Sequence, residues 1–219
     1  MIRPGTLSLL AAMFLLGCAG GSVEPLSQLP GYRLDVKGPP ASGQPGRAAP
    51  AADPAAGRWA VANPRPWRYI VIHHSASPIG NAKTIGQAHR DRGFDEMGYH
   101  FVIDNGQGGP DGLVEVGGRW TRQKWGAHTG NTPDNDYNNF GIGICLVGDF
   151  ARNPPTAAQL DSLQALTSYL VRQYDIPPDA VIGHRDAPSA NTECPGDRLY
   201  QYLQTVLRPL LARQYMARR

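Results

Sequence analysis

Apolar residues follow two regimes along the chain, with the change near Trp67. From there onward they form runs and stripes. Tyr69-Ile70-Val71-Ile72-His73-His74 is a nearly continuous run of β-formers, which predicts a strand covered on both faces. Asn81 to Arg92 reads as a helix with His89 on one face. Tyr99-His100-Phe101-Val102-Ile103 is a second strand, and Asp104-Asn105-Gly106 is a turn signal. Gly112 to Val116 is a short returning strand, and Phe140 to Val147 a further buried one. Thr156 with Gln159 forms a capping-box pattern that opens a helix whose apolar face is Leu160, Leu163, Leu166 and Leu170, and Pro177-Pro178 ends it. Ala180-Val181-Ile182 is a short strand. A last helix is expected from Pro195, with Leu199, Leu203, Val206 and Leu210 on one face. Strands and helices mix without strict alternation, which predicts an α/β (mixed α+β) fold with a central mixed sheet flanked by helices.

Before Trp67 the pattern differs. Arg3 precedes an apolar stretch, Leu9 to Leu16, of export-signal length, too short for a permanent membrane span. It leads into Leu15-Leu16-Gly17-Cys18, which resembles a bacterial lipobox; the resemblance implies lipidation of Cys18 after cleavage. Acyl carbons at about 0.8 kcal/mol per buried methylene would then hold the protein on a membrane. In a cell with two membranes, the same lipoprotein resemblance implies, from Ala19 after that cysteine, sorting to the outer membrane, facing the periplasm. An ordinary secretory signal cut at small residues is the alternative. Residues 19–66 are rich in Pro, Gly and Ala without apolar period, and read as a tether. The expected organisation is therefore a signal over residues 1–18, a tether over 19–66 and a domain over 67–212.

Composition adds limits. The 219 residues are 41% apolar, enough for one ordinary domain with extensions, and the net charge of +3 is too weak to argue for nucleic acid. A monomer is expected. Three cysteines cannot all pair, so a disulfide framework is not expected.

The chemistry gathers around histidine and cysteine. His73 ends a buried strand, where side chains face a crevice, and His74 beside it points to the opposite face. Pro195, placed as the first residue of the last helix, would set the Cys194 thiol at a helix N-terminus, where the dipole lowers its pKa. Cys194 then reads as a metal-ligating thiolate, a nucleophile paired with a histidine, or an inert buried thiol. Two histidines and a thiolate form a known catalytic zinc set with a fourth position open. Spacing alone leaves these readings open.

Six segments taken together decide more. They are Val71-Ile72-His73-His74-Ser75-Ala76, Gly98 to Ile103, Gly126-Ala127-His128-Thr129-Gly130, Ile142 to Phe150, Gly183-His184-Arg185-Asp186 and Thr192 to Asp197. In this order they resemble the zinc-dependent N-acetylmuramoyl-L-alanine amidases, which include phage lysozyme-like amidases and peptidoglycan recognition proteins. The resemblance implies Zn2+ held by His73, His184 and Cys194, with His74 structural or groove-lining. It implies Tyr99 near the scissile amide, His128 lining the substrate site, and Thr192 where phage members carry a catalytic lysine. Cys145 falls where recycling-type members carry a glutamate base, so no carboxylate base is expected. The implied partners are peptidoglycan or muropeptides, and the implied reaction is hydrolysis of the amide between N-acetylmuramic acid and L-alanine. A non-catalytic peptidoglycan-binding module, a cysteine peptidase and a purely structural lipoprotein anchor are the competing classes.

Overall fold

The computed structural model describes residues 56–130 and 132–219; the expected signal, Cys18 and most of the expected tether lie outside the described residues. Helix α1 (Ala56–Trp59) comes first, then β1 (Tyr69–His74), α2 (Ala82–Asp91), β2 (Phe101–Ile103), β3 (Val114–Val116), α3 (Gly118–Thr121), α4 (Asp136–Asn139), β4 (Gly141–Leu146), α5 (Ala157–Tyr174), β5 (Val181–Gly183), α6 (Asp197–Tyr202) and α7 (Arg208–Met216). The strands form one mixed five-stranded sheet in the order β3-β2-β4-β1-β5. β2, β4, β1 and β5 run parallel, and β3 is antiparallel to β2.

The sequence accounts for this order. β1 and β4 carry the longest apolar runs, and they occupy the centre, with Ile70, Val71, Ile72, Ile142, Ile144 and Leu146 fully buried. The β2–β3 connection returns through Gly106, Gly108 and Gly112, all with positive φ, where a side chain would be strained. Asn81 caps α2, with its side chain accepting from the Thr84 N–H at 2.9 Å. Thr156 and Gln159 close the expected capping box on α5. Gln159 is fully buried and its Nε2 donates to the carbonyls of Ile103 and Val147, so α5 satisfies acceptors at the ends of β2 and β4.

Several expectations are corrected. Packing starts before Trp67: Trp59 is 3% exposed, its ring lies 5.5 Å from that of Tyr169, and its carbonyl accepts from Trp120 Nε1. The expected tether therefore ends earlier than residue 66. The last helix starts at Asp197, not Pro195, because Gly196 at φ +84° turns the chain and donates its N–H to the Glu193 carbonyl. Its buried face is Leu199, Leu203, Leu207 and Leu211. Val206 and Leu210 are only half-buried, because a π-helical turn over Leu203–Leu207 shifts the register of the face by one residue. Strand ends differ by one or two residues from expectation, and Tyr99 lies just ahead of β2.

Candidate metal centre

Strand register builds the site. β1 pairs with β5 so that Ile72 stands opposite Gly183, and the next residues outward are His73 and His184. Their rings come to 4.6 Å between centroids. Both sit at the C-terminal ends of parallel strands, where an open sheet leaves a crevice. The chain then loops back. The Arg185 N–H donates to the Cys194 carbonyl at 2.8 Å, and the Cys194 sulfur accepts from the His74 N–H at 3.4 Å. Asp186 fixes the start of this loop by accepting from the Gly183 N–H and the Tyr200 hydroxyl. Arg185 ties its far end to Asp197 at 2.8 Å.

His73, His184 and Cys194 thus offer ligand atoms within 4.8 Å of one another. Zinc with nitrogen at about 2.0–2.1 Å and sulfur at about 2.3 Å puts such ligands roughly 3.6 Å apart. His73 Nδ1 and Cys194 Sγ stand 3.7 Å apart. One soft thiol and two imidazoles suit this ion. The charge states suit it too. Burial lowers the pKa of His73 well below 6.5, with His128 and His184 adding to the effect, and burial also lowers that of His184. Both rings are therefore neutral, as metal ligation requires. The expected dipole-lowered thiol is not found. Burial pushes Cys194 up to about 12 against the opposing influence of the His74 N–H and Arg185, so only a bound cation would make it a thiolate at neutral pH.

The other expected residues divide. Tyr99 is half-buried, its ring 5.0 Å from that of His73. It packs on the cluster of Met97, Val102, Cys145 and Val147, and burial raises its phenol well above 10. Cys145 is fully buried beneath it, its thiol pushed well up by the same burial. Thr192 reaches the centre through the backbone, its hydroxyl oxygen accepting from the Cys194 N–H at 3.1 Å. His74 turns to the other face of β1, and its Nδ1 accepts from the Phe150 N–H at 3.3 Å. It therefore shapes the wall and is not among the three residues grouped as able to hold a metal. His128 is buried and its Nδ1 lies 3.1 Å from His73 Nε2.

Three further residues, given no role by the sequence, build the surroundings of the centre. His89 and His100 are buried, each with a pKa lowered to about 4 by desolvation. His89 Nδ1 accepts from the Gly98 N–H, and His100 Nδ1 from the Gly143 N–H. Asn138 accepts from the backbone N–H groups of both His128 and Thr129. Beside the centre a cavity of about 290 Å³ is lined by Ser75, Thr84, Ile85, His89, Arg92 and Tyr99, among others.

Known proteins share this arrangement of sequence and fold. Peptidoglycan recognition protein 1 of Bos indicus is 35% identical over 150 residues, covering 64% of this chain and 72% of that protein. The solved structure of the N-acetylmuramoyl-L-alanine amidase LysC from Clostridium intestinale is 30% identical with a TM-score of 0.52, covering 60% of this chain and 78% of that one. Human PGRP-IBETAC, solved in complex with a glycosamyl muramyl pentapeptide, is 26% identical with a TM-score of 0.53, covering 69% and 93%. The family profile described as N-acetylmuramoyl-L-alanine amidase matches residues 63–197, more than half of the sequence, and the chain belongs to that family.

Proposed function

We propose that this chain is a zinc-dependent hydrolase that cleaves the amide bond between N-acetylmuramic acid and the L-alanine of the peptidoglycan stem peptide. The observation that carries the reading is the convergence of His73, His184 and Cys194 within 4.8 Å at the ends of parallel strands, in a member of this family. Zinc, when bound there, supplies Lewis acidity toward the amide carbonyl and brings the pKa of water toward about 7.

The chain's own residues complete the site. His184 is half-buried while His73 is sealed, so the centre opens to solvent on the His184 side. Tyr99 keeps its proton because burial disfavours the phenolate, and it can therefore donate a hydrogen bond to a developing oxyanion or a proton toward the leaving amine. The Thr192 hydroxyl uses its oxygen as an acceptor from Cys194, which leaves its own hydrogen for a second donor role. The adjoining cavity, with Arg92 and the hydroxyl groups of Ser75 and Thr84 on its lining, suits a peptide bearing carboxylates.

Purified peptidoglycan incubated with the full chain tests the reading. Free stem peptides are expected, their release stopped by a chelator and restored by added zinc. Binding to the wall without release would identify a recognition module, and release that persists in chelator but stops on thiol alkylation would identify a cysteine peptidase.

A further inference from the structure

The family resemblance implies that the loop histidine at position 128 lines the substrate site, and its surroundings give it a further task. Its ring is 8% exposed and has protein partners at both nitrogens. Nε2 lies 3.3 Å from the Gly141 carbonyl, which can only accept. Nε2 therefore carries the hydrogen, and in the neutral ring Nδ1 is the acceptor. Two donors converge on that Nδ1: the Thr129 hydroxyl at 2.8 Å and His73 Nε2 at 3.1 Å. His73 must then carry its own hydrogen on Nε2. That leaves the lone pair of His73 on Nδ1, the atom that faces the Cys194 sulfur at 3.7 Å.

The fold makes room for this ring on two sides. A Cβ at Gly143 would stand 2.4 Å from His128 Cδ2, and a Cβ at Gly126 would stand 2.4 Å from the same atom. Gly143 is held in place on the central strand β4, its N–H donating to His100 Nδ1 at 2.9 Å. Asn138 grips the loop at two successive amides, accepting from the His128 and Thr129 N–H groups. The ring is thus built into the sheet and not hung over the crevice.

We propose that His128 is a positioning residue: anchored on the Gly141 carbonyl, it fixes His73 in the Nε2–H tautomer and so presents His73 Nδ1 to the metal. It acts on the metal through His73. A ligand histidine whose second nitrogen is held in this way binds metal about 10- to 100-fold more tightly than one left free. The inference rests on the zinc reading above, but the histidine pair can be observed without metal.

The experiment compares the full chain with His128→Phe, which has a ring and no acceptor, and His128→Asn, whose Oδ1 stands near the place of Nδ1. Zinc affinity is measured by competition with a chromophoric chelator, and folding by circular dichroism. His128→Phe is expected to weaken zinc by about 10- to 100-fold, and His128→Asn to recover most of that loss. Equal affinity in wild type and a folded His128→Phe would overturn the proposal. A second measurement stands if that variant does not fold. In metal-free wild type labelled with 15N-histidine, long-range nitrogen–proton correlation is expected to show His73 and His128 both protonated on Nε2 alone. His73 protonated on Nδ1, or His128 protonated on Nδ1, would overturn it. A wild-type chain that binds no zinc but shows these two tautomers would contradict the proposed hydrolase and leave the pairing of His128 with His73 upheld.

Discussion

Tyr99 stands where the core meets the chemistry. Its ring packs on Met97, Val102, Cys145 and Val147 and lies 5.0 Å from the ring of His73. Replacing it with phenylalanine keeps that packing and removes one donor. Tyr99→Phe is therefore expected to retain its zinc and its fold while kcat falls by about 10²-fold, the usual cost of losing one oxyanion donor. Steady-state kinetics with parallel metal analysis checks this, and an unchanged kcat would remove Tyr99 from the chemistry. At this scale the sequence was partly legible. Strand alternation shows that only one of His73 and His74 can reach a given face, and the family resemblance selects His73, whose ring nitrogen lies within 4.8 Å of the ligating atoms that His184 and Cys194 offer. For Cys194, nearness to a helix end points to a lowered pKa, whereas burial, which the sequence does not display, pushes the thiol up. For His128 the family resemblance implies a place on the lining of the substrate site, and the structure adds its contact with His73. The glycine that accommodates its ring from the sheet, Gly143, lies on another element, and no local pattern links the two.

Elements were legible where the signal is local. The capping boxes, the apolar runs of β1 and β4 and the leucine face of α5 all depend on residues within a few positions of one another. Two features were not. The π turn over Leu203–Leu207 moves the buried face from Val206 and Leu210 to Leu207 and Leu211; the first pair is the better α-helical stripe, so the sequence period alone points to it. Trp59 sits in a segment rich in Pro, Gly and Ala without period, so its burial against Tyr169 depends on a partner more than a hundred positions away. The order of strands likewise follows from pairings between distant segments. It is that order, with β5 beside β1, that sets His184 next to His73.

The whole molecule gathers every one of its six histidines in or against this region, and each has its pKa lowered, chiefly by burial. A histidine with a folded pKa below its ordinary 6.5 is neutral in the fold and takes a proton on unfolding, so the unfolded chain binds more protons as the pH falls through 6.5 toward about 4, the value reached by His89 and His100. Stability is therefore lost over that window. Asp104 acts in the opposite sense: burial and the neighbouring Glu115 raise its carboxyl to about 7, so acidification relieves it. Six histidines against one carboxyl make loss the net result. The urea midpoint of the zinc-free chain is expected to be lower at pH 5 than at pH 7, and an equal or higher midpoint at pH 5 would contradict this. The amidase reading itself is tested most directly by mass spectrometry of a defined muropeptide after incubation with the zinc-loaded chain. The expected products are a muramic acid with a free lactyl carboxylate and a stem peptide with a free L-alanine amine, together heavier than the substrate by one water. An intact muropeptide, or a cut within the peptide or the glycan, would contradict the assignment.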